Sequence, residues 1–186
     1  AFKFRNVGPA LTSGRIADIA VNPNNFSQYY VAVASGGVWK TDNAGTTFNP
    51  IFDSQGAYSI ACVTIDPNNE NATWERVLFI SDDTGISEIV MDPRNPDVLY
   101  AAAHQRRRHV FTYVGGGPES GIHKTTDGGK TWEKVNKGLP KEDIGRIGLA
   151  ISPANPEFIY AIVEAANDKN GGCYRSNNRG ASWEKR

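Results

Sequence analysis

One eight-position motif recurs three times in this chain and constrains its fold more than any other feature. The copies occupy residues 41–48, 125–132 and 176–183 and share the pattern S/T-x-D/N-x-G-x-T/S-W/F. The carboxyl or amide oxygen can accept backbone N–H groups in a tight turn, and the glycine tolerates a positive φ. The aromatic residue is a large apolar anchor, expected to pack on a neighbouring sheet. Strand-like segments flank each copy, so each motif predicts the turn of a β-hairpin. The residues assigned to these turns are Thr41, Asn43, Gly45, Phe48, Thr125, Asp127, Gly129, Trp132, Ser176, Asn178, Gly180 and Trp183.

A second motif, built around proline, occurs four times. Its copies lie at residues 21–25, 65–69, 91–96 and 151–156. Apolar segments at residues 16–21, 59–65, 86–91 and 147–151 precede the copies and are predicted to be strands, and strands of aromatic and small residues are predicted to follow three of the copies. Proline and asparagine are typical of turns. The two motifs together give four antiparallel strands repeated every few tens of residues, which predicts an all-β fold, a β-propeller of four-stranded antiparallel blades.

The spacing of the motifs is broken once. Residues 73–77 match the end of the second motif copy at residues 131–135, but nothing motif-like precedes Thr73. Asp66 lies only 7 positions before Thr73, whereas Asn22 lies 25 positions before Thr47. We therefore expect a segment to be missing near residues 69–73, and the glycosylation sequon at residues 71–73 to be an accident of that junction.

The chain is predicted to be a single β-propeller portion over residues 1–186. Its blade-like units cover approximately residues 10–53, 54–80 (incomplete), 85–139 and 144–186. Propellers contain about four to eight blades, so these units predict a larger chain or an assembly.

Composition narrows the possible partners. Twenty basic and twenty acidic residues cancel, which argues against nucleic acid or an anionic membrane as the main partner. No apolar run approaches the ~20 residues of a membrane-spanning helix, so no membrane insertion is expected. Cys62 and Cys173 lie in apolar runs and are expected to be buried free thiols, which leaves the redox compartment open. The three histidines lack metal-ligand spacing and no phosphate loop is present, so neither a metal nor a cofactor is predicted.

The recurring motif resembles the Asp box of sialidase-type BNR repeats and of sortilin/VPS10-type propellers. Residues 5–9, 13–16, 34–41 and 145–150 are similar to large secreted bacterial proteins of that class, which are often labelled glycosyl hydrolase-like by analogy with two-propeller xyloglucanases. The resemblance implies an extracellular, cell-surface or periplasmic location. It is specific for the fold and weak for function, because the box is structural.

No catalytic residue is predicted in the blades present. A xyloglucanase-like site implies a catalytic Asp just before the Gly-Gly that opens the third strand, and residues 33–37 carry Ala34 at that position. Alanine can neither donate nor accept a proton. Three consecutive arginines in a strand cannot converge on one carboxylate, which argues against a sialidase-type clamp.

Two groups of residues are candidates for ligand binding. Arg106, Arg107, Arg108, His109 and Tyr113 belong to a long insertion between two strands, where arginine and aromatic side chains suit recognition of carboxylate, phosphate or sugar. The alternative is a solvated loop whose arginines pair with acidic residues of an adjacent blade.

The second group consists of Arg15 and Arg146, each in a Gly-Arg-Ile sequence at the start of a first strand. Such residues could ring the mouth of a propeller channel, or bond the carbonyl groups of a neighbouring blade. Asp82 and Asp83 are expected to form a turn rather than a calcium site.

The leading hypothesis is a non-catalytic extracellular or periplasmic binding or scaffold module that recognises a protein or carbohydrate ligand. One alternative is a xyloglucanase-like glycoside hydrolase whose catalytic acids lie in missing blades. The other is an assembly factor for a membrane complex.

Overall fold

A computed structural model describes residues 15–66, 74–108 and 110–186. The described residues form thirteen β-strands and no helix, and they divide into two compact units, residues 1–75 and residues 76–186. Within these described ranges, no helix long and apolar enough to cross a membrane is found. The predicted break near residues 69–73, the sequon, His109, and the resembling stretches before Arg15 lie outside the described residues.

The first unit contains one four-stranded antiparallel sheet in the order β1-β2-β3-β4. Its strands are β1 (Ile16–Val21), β2 (Tyr29–Val33), β3 (Gly37–Thr41) and β4 (Asn49–Pro50). Val31, Val33 and Trp39 form its buried apolar cluster, against which Tyr29 and Phe48 pack. Consecutive strands joined by short turns make this sheet a simple meander, the arrangement expected of a propeller blade.

The second unit contains two sheets. The first is five-stranded, with β5 (Thr84–Asp92), β6 (Asn95–Arg108), β8 (Gly121–Thr125) and β9 (Glu133–Lys134) in order and β7 (Tyr113–Gly115) paired to the far end of β6. The other is a four-stranded meander of β10 (Ile144–Ile151), β11 (Ile159–Ala165), β12 (Gly172–Ser176) and β13 (Glu184–Lys185). The all-β fold with four-stranded antiparallel blades is thus confirmed.

One apolar core joins the two sheets of the second unit. Val98 and Tyr100 of β6 pack in the same buried cluster as Ile147 and Leu149 of β10. Trp183, at the end of the third motif copy, belongs to this cluster, and its indole N–H donates to the backbone carbonyl of Val135, 2.8 Å away. The aromatic residue of this copy therefore anchors its sheet on the neighbouring one.

The three motif copies form the same turn. In each turn the hydroxyl of the first residue donates to the Asp or Asn Oδ1, at 3.0, 2.7 and 2.8 Å in chain order. That oxygen also accepts the backbone N–H of the Thr or Ser four positions further on, at 2.9 Å in all three turns. The turn glycines Gly45, Gly129 and Gly180 have φ of 83°, 93° and 83°. We call these three segments the repeat turns.

Two expectations from the sequence are wrong. Residues 59–65 do not form a strand, and their bonds instead include Ile60 N–H to the carbonyl of Val33 and Val63 N–H to the carboxylate of Asp18. Cys173 is exposed rather than buried. The side chains of β12 alternate between two faces, and Tyr174 and Ser176 lie on the buried face of the strand. Cys62 is half-buried.

Candidate ligand-binding site

The three consecutive arginines lie in a β-strand. β6 runs on past its own sheet, and its last residues pair with β7 in the register Arg106–Gly115, Arg107–Val114 and Arg108–Tyr113. The insertion is therefore a β-hairpin with exposed arginines. The backbone ladder holds each arginine at a fixed place and alternates the direction of successive side chains.

Arg107 points to a different face from its two neighbours and, among the described residues, is the arginine of the three with an ion pair. Its guanidinium lies 3.4 Å from the carboxylate of Asp83, and more than half of its side chain is exposed. Asp83 belongs to the turn that precedes β5, as expected from the sequence, so the acidic partner comes from the same sheet rather than from an adjacent one. Such an exposed pair contributes little to stability and serves to orient the hairpin.

Arg106 and Tyr113 lie together on the other face of the hairpin. The guanidinium carbon of Arg106 is 5.7 Å from the centroid of the Tyr113 ring. The Tyr113 ring folds over Gly115, and a Cβ added at Gly115 would lie 2.7 Å from a carbon of that ring. Glycine opposite Arg106 thus leaves the space that the tyrosine ring occupies. Arg108 is exposed at the end of β6, and the hairpin tip beyond it presents Phe111 with 96% of its surface exposed.

Arg146 lies at the start of β10 and is exposed. Its backbone N–H donates to Oε2 of Glu164 on the adjacent strand β11, at 3.0 Å. A Cβ on Gly145 would lie 2.6 Å from the same oxygen, so glycine is needed for the carboxylate to rest there.

Arg15 takes the same place in the first sheet as Arg146 in the third. Ile16 follows Arg15 and pairs with Val33, just as Ile147 follows Arg146 and pairs with Val163. The carbonyl of Arg15 accepts the N–H of Ala34 at 2.9 Å. The two arginines lie in different units, and each belongs to the edge of its own sheet.

His104 is a site residue that the sequence reasoning did not select. It is 7% exposed, and its Nε2 has no hydrogen-bond partner among the described residues. Burial is the main cause that lowers the pKa of His104, and a backbone hydrogen bond with Gly115 opposes this shift. The charges of Arg146 and Arg106 lower the pKa further, and the charge of Glu164 raises it. The histidine is therefore predominantly neutral at pH 7 and lies within electrostatic reach of these three side chains.

The strand register could have drawn attention to this position. Val33, Ala103 and Val163 each pair with the glycine that opens the third strand of their sheet. The residues that follow them are Ala34, His104 and Glu164. Equivalent positions at one end of the three sheets thus carry an alanine, a buried histidine and a carboxylate.

The carboxyl groups with resolved pKa shifts are hydrogen-bond acceptors. The shifts of Asp42, Asp92, Glu119, Asp127 and Glu142 are all downward, and in each the largest cause is a hydrogen bond from a side chain. Glu119, for example, accepts the hydroxyl groups of Ser81 and Thr84. These hydrogen bonds favour the charged form of each carboxylate, which acts as a hydrogen-bond acceptor within the fold.

The geometry defines an all-β protein of propeller-type blades that carries a basic, tyrosine-bearing hairpin on one of them.

No family model matches the chain. The chain is similar to a xyloglucanase from Paenibacillus sp, with 24% identity over 192 residues that cover 99% of this chain and 16% of that protein. It is similar to xyloglucanase Xgh74A from Acetivibrio thermocellus, with 27% identity over 197 residues, 96% of this chain and 20% of that protein. A xyloglucanase from Hypocrea jecorina is 25% identical over 191 residues, 100% of this chain and 19% of that protein. The chain thus spans at most a fifth of the length of these curated relatives.

Two solved structures show a weaker likeness. A GH74 xyloglucanase from Xanthomonas campestris has a TM-score of 0.40 and 20% identity, covering 92% of this chain and 20% of that chain. YCF48 bound to D1 peptide has a TM-score of 0.39 and 15% identity, covering 93% of this chain and 40% of that chain. At these scores the likeness carries no functional argument.

Proposed function

We propose that this chain is the blade-forming part of an extracellular or periplasmic β-propeller module that binds glycan without hydrolysing it. The observation that carries the proposal is the β6–β7 hairpin, where a backbone ladder holds exposed arginines beside a tyrosine ring. Tyrosine binds ligands at a small cost in conformational entropy, and arginine adds a planar array of hydrogen-bond donors. The curated relatives act on a polysaccharide, which favours glycan over protein as the ligand.

The organisation of the chain follows from the same proposal. We infer that the three repeat turns are Asp boxes of the BNR and sortilin-like type. The blade units then extend over approximately residues 10–53, 54–80, 85–139 and 144–186, with the remainder of the ring outside this chain. The conserved turn bonds give the blades a common hairpin, while the hairpin insertion on one blade gives the module its ligand face.

Absence of hydrolysis is argued from the first sheet. Ala34 follows β2 directly, at the position where the xyloglucanase-like pattern implies a catalytic Asp, and its backbone is hydrogen-bonded to Arg15 and Ser59. The methyl side chain cannot transfer a proton. The competing candidate is hydrolysis by the longer protein, which the xyloglucanase relatives favour and in which this chain would supply part of the substrate groove.

Binding and turnover are separable by experiment. We expect the purified protein to be retarded in gels containing a plant cell-wall glycan, and to release no reducing ends from that glycan. The double variant Arg106→Ala/Arg108→Ala should lose most of the retardation. Lys141→Ala, which removes an exposed cation elsewhere in the same unit, should keep it. Release of reducing ends would overturn the non-catalytic proposal, and retardation unchanged in the double variant would overturn the hairpin as the ligand face.

A further inference from the structure

The β6–β7 hairpin is joined to the first strand of the next sheet. The N–H of Gly117 donates to the carbonyl of Ile144 at 3.1 Å, which bridges the segment after β7 to the start of β10. At Gly116 an added Cβ would lie 2.9 Å from the same carbonyl oxygen and 3.2 Å from the Cα of Gly145. The backbone at Gly116 therefore lies too close to β10 for a residue with a Cβ. Arg146 is the next residue of β10 after Gly145.

Strand alternation places His104 and Arg106 on one face of β6. The pKa of His104 responds to the charges of Arg106, Arg146 and Glu164, which come from β6, β10 and β11. The histidine itself is 7% exposed. We call Arg106, Tyr113, Arg146, Glu164 and His104 the junction patch.

The arginines of the junction patch have no acidic partner within the described part of the chain. Neither the Arg106 nor the Arg146 guanidinium takes part in an ion pair there, whereas Arg107 on the opposite face is paired with Asp83. The N–H donors of a guanidinium group without an acidic partner suit a carboxylate or phosphate.

The same patch has acceptors left over for hydroxyl groups. Oε2 of Glu164 accepts one backbone N–H, and the carboxylate keeps further lone pairs for hydroxyl donors. The exposed ring of Tyr113 offers an apolar face. Cations, hydroxyl acceptors and an aromatic face together match a pyranose ring that carries a carboxylate. The overall formal charge of zero gives no general attraction for a polyanion such as nucleic acid, so recognition must be local.

We propose that the junction patch binds a uronic acid unit of an acidic glycan, with its carboxylate between Arg106 and Arg146, its ring against Tyr113 and its hydroxyl groups on Glu164. This inference rests on the proposed function, since it names the class of glycan that the module recognises. A neutral glycan would leave both guanidinium groups without an anionic partner, so the patch discriminates by charge.

Titration calorimetry on the whole protein tests the proposal with matched ligands. The probes are trimers of galacturonate, glucuronate and mannuronate, the methyl ester of each, and neutral xyloglucan oligosaccharides. The ester keeps the ring and its hydroxyl groups and removes only the carboxylate charge. We expect at least one acid trimer to bind about tenfold or more tightly than its ester, because a charge-assisted hydrogen bond contributes at least that much.

The variants locate the effect. Arg106→Gln and Arg146→Gln should each weaken binding of the acid by about tenfold and leave binding of the ester nearly unchanged. Arg107→Gln, on the opposite face and paired with Asp83, is the matched control and should bind as the parent does. Unchanged melting temperatures would show that each variant is folded, as expected for exposed side chains.

Each other outcome overturns the proposal in a distinct way. Esters or xyloglucan bound as tightly as the acids would overturn the uronate inference and leave the glycan-binding function standing. A preference for acid that survives both arginine variants would overturn the location. Binding of none of the probes, acid or neutral, would overturn the inference together with the proposed function.

Discussion

At the scale of single residues, the repeat turns show how one geometry is built from two chemistries. The second turn uses the carboxylate of Asp127, which accepts the hydroxyl of Thr131 at 2.6 Å. The first and third use the amides of Asn43 and Asn178, whose Nδ2 groups donate to the hydroxyls of Thr47 and Ser182 at 2.9 and 2.8 Å. A hydroxyl can donate or accept, so its rotation accommodates either residue and the backbone is unchanged.

This difference predicts a specific response to acid. Hydrogen bonds, first from the Thr131 hydroxyl and then from its backbone N–H, lower the pKa of Asp127 from 3.8 to about 2. A carboxyl group whose pKa is lower in the folded state than in the unfolded state stabilises the folded state at pH values above the unfolded pKa. This stabilisation is lost as the pH falls from about 3.8 towards about 2. Asp127→Asn should therefore reduce the fall of the melting temperature across this range, while the turn survives as it does at Asn43.

Asp168→Asn is the matched control for that measurement. Asp168 lies in an exposed turn, and its side chain forms no hydrogen bond or ion pair among the described residues. Melting temperatures measured by circular dichroism at pH 2–5 should show the reduced acid sensitivity in Asp127→Asn and not in Asp168→Asn. Equal acid sensitivity of Asp127→Asn and the parent would contradict the role assigned to the carboxylate.

At the scale of strands and turns, the Pro-containing turn after β5 links the two sheets of the second unit. Asp92 is 2% exposed and forms a salt bridge with Arg94 at 2.9 Å and another with Arg179 at 3.6 Å. Arg179 belongs to the third repeat turn, where it has a φ of 57°, and its carbonyl accepts the hydroxyl of Tyr100 at 2.8 Å. The turn of one sheet is thus bonded to the repeat turn of the next.

Two substitutions at Asp92 separate the turn from the ion pairs. Oδ1 of Asp92 accepts the N–H of Arg94, as Oδ1 of Asn22 accepts the N–H of Asn24 in the first sheet, both at 2.9 Å. Asp92→Asn should keep this bond and lose the ion pairs, and Asp92→Ala should lose both. We expect a loss of about 1 kcal/mol in the free energy of unfolding for Asn and about 2–3 kcal/mol for Ala, measured by urea denaturation. Equal losses would show that the ion pairs, not the turn bond, account for the whole effect.

The sequence predicted the regular elements of the fold because their turns are encoded locally. β1 was predicted with its exact bounds, and the strands that flank the repeat turns were predicted to within a few residues. The extension of β6 through Arg108 was not predicted, because charged residues in a row show no period of two and the strand depends on pairing with β7. Residues 59–65 show the reverse case, since an apolar pattern forms a strand only where a partner strand pairs with it.

The candidate site could be predicted only in part for a related reason. Arginine and tyrosine side chains were selected by residue type, and the structure brings Arg106 and Tyr113 together. His104 and Glu164 were missed, because they lie in strands of different sheets and no local pattern connects them. Their proximity is a consequence of sheet packing, which spacing along the sequence does not reveal.

At the scale of the whole molecule, the two units differ in the size of their apolar cores. The cluster of the second unit spans both of its sheets and includes Tyr100, Ile147 and Trp183. Among the described residues of the first unit, residues 15–66 and 74–75, the cluster consists of Val31, Val33 and Trp39. Hydrophobic burial is the main favourable contribution to folding, and small cores leave a domain marginally stable. The second unit should therefore be the more stable of the two.

Residues 76–186 produced alone should then fold and unfold cooperatively, whereas residues 1–75 alone should not. Removal of the buried side chain in Ile147→Ala should cost about 2–5 kcal/mol and lower the urea midpoint of the 76–186 segment. Ile162→Ala is the matched control, because Ile162 lies on the exposed face of β11 and is 69% exposed. This substitution should change the urea midpoint little. In the intact chain, amide hydrogen exchange should be slower in β10 and β11 than in β2 and β3. Equal protection of the two pairs, or a 76–186 segment without a cooperative transition, would mean that the stability of the second unit does not come from its own core.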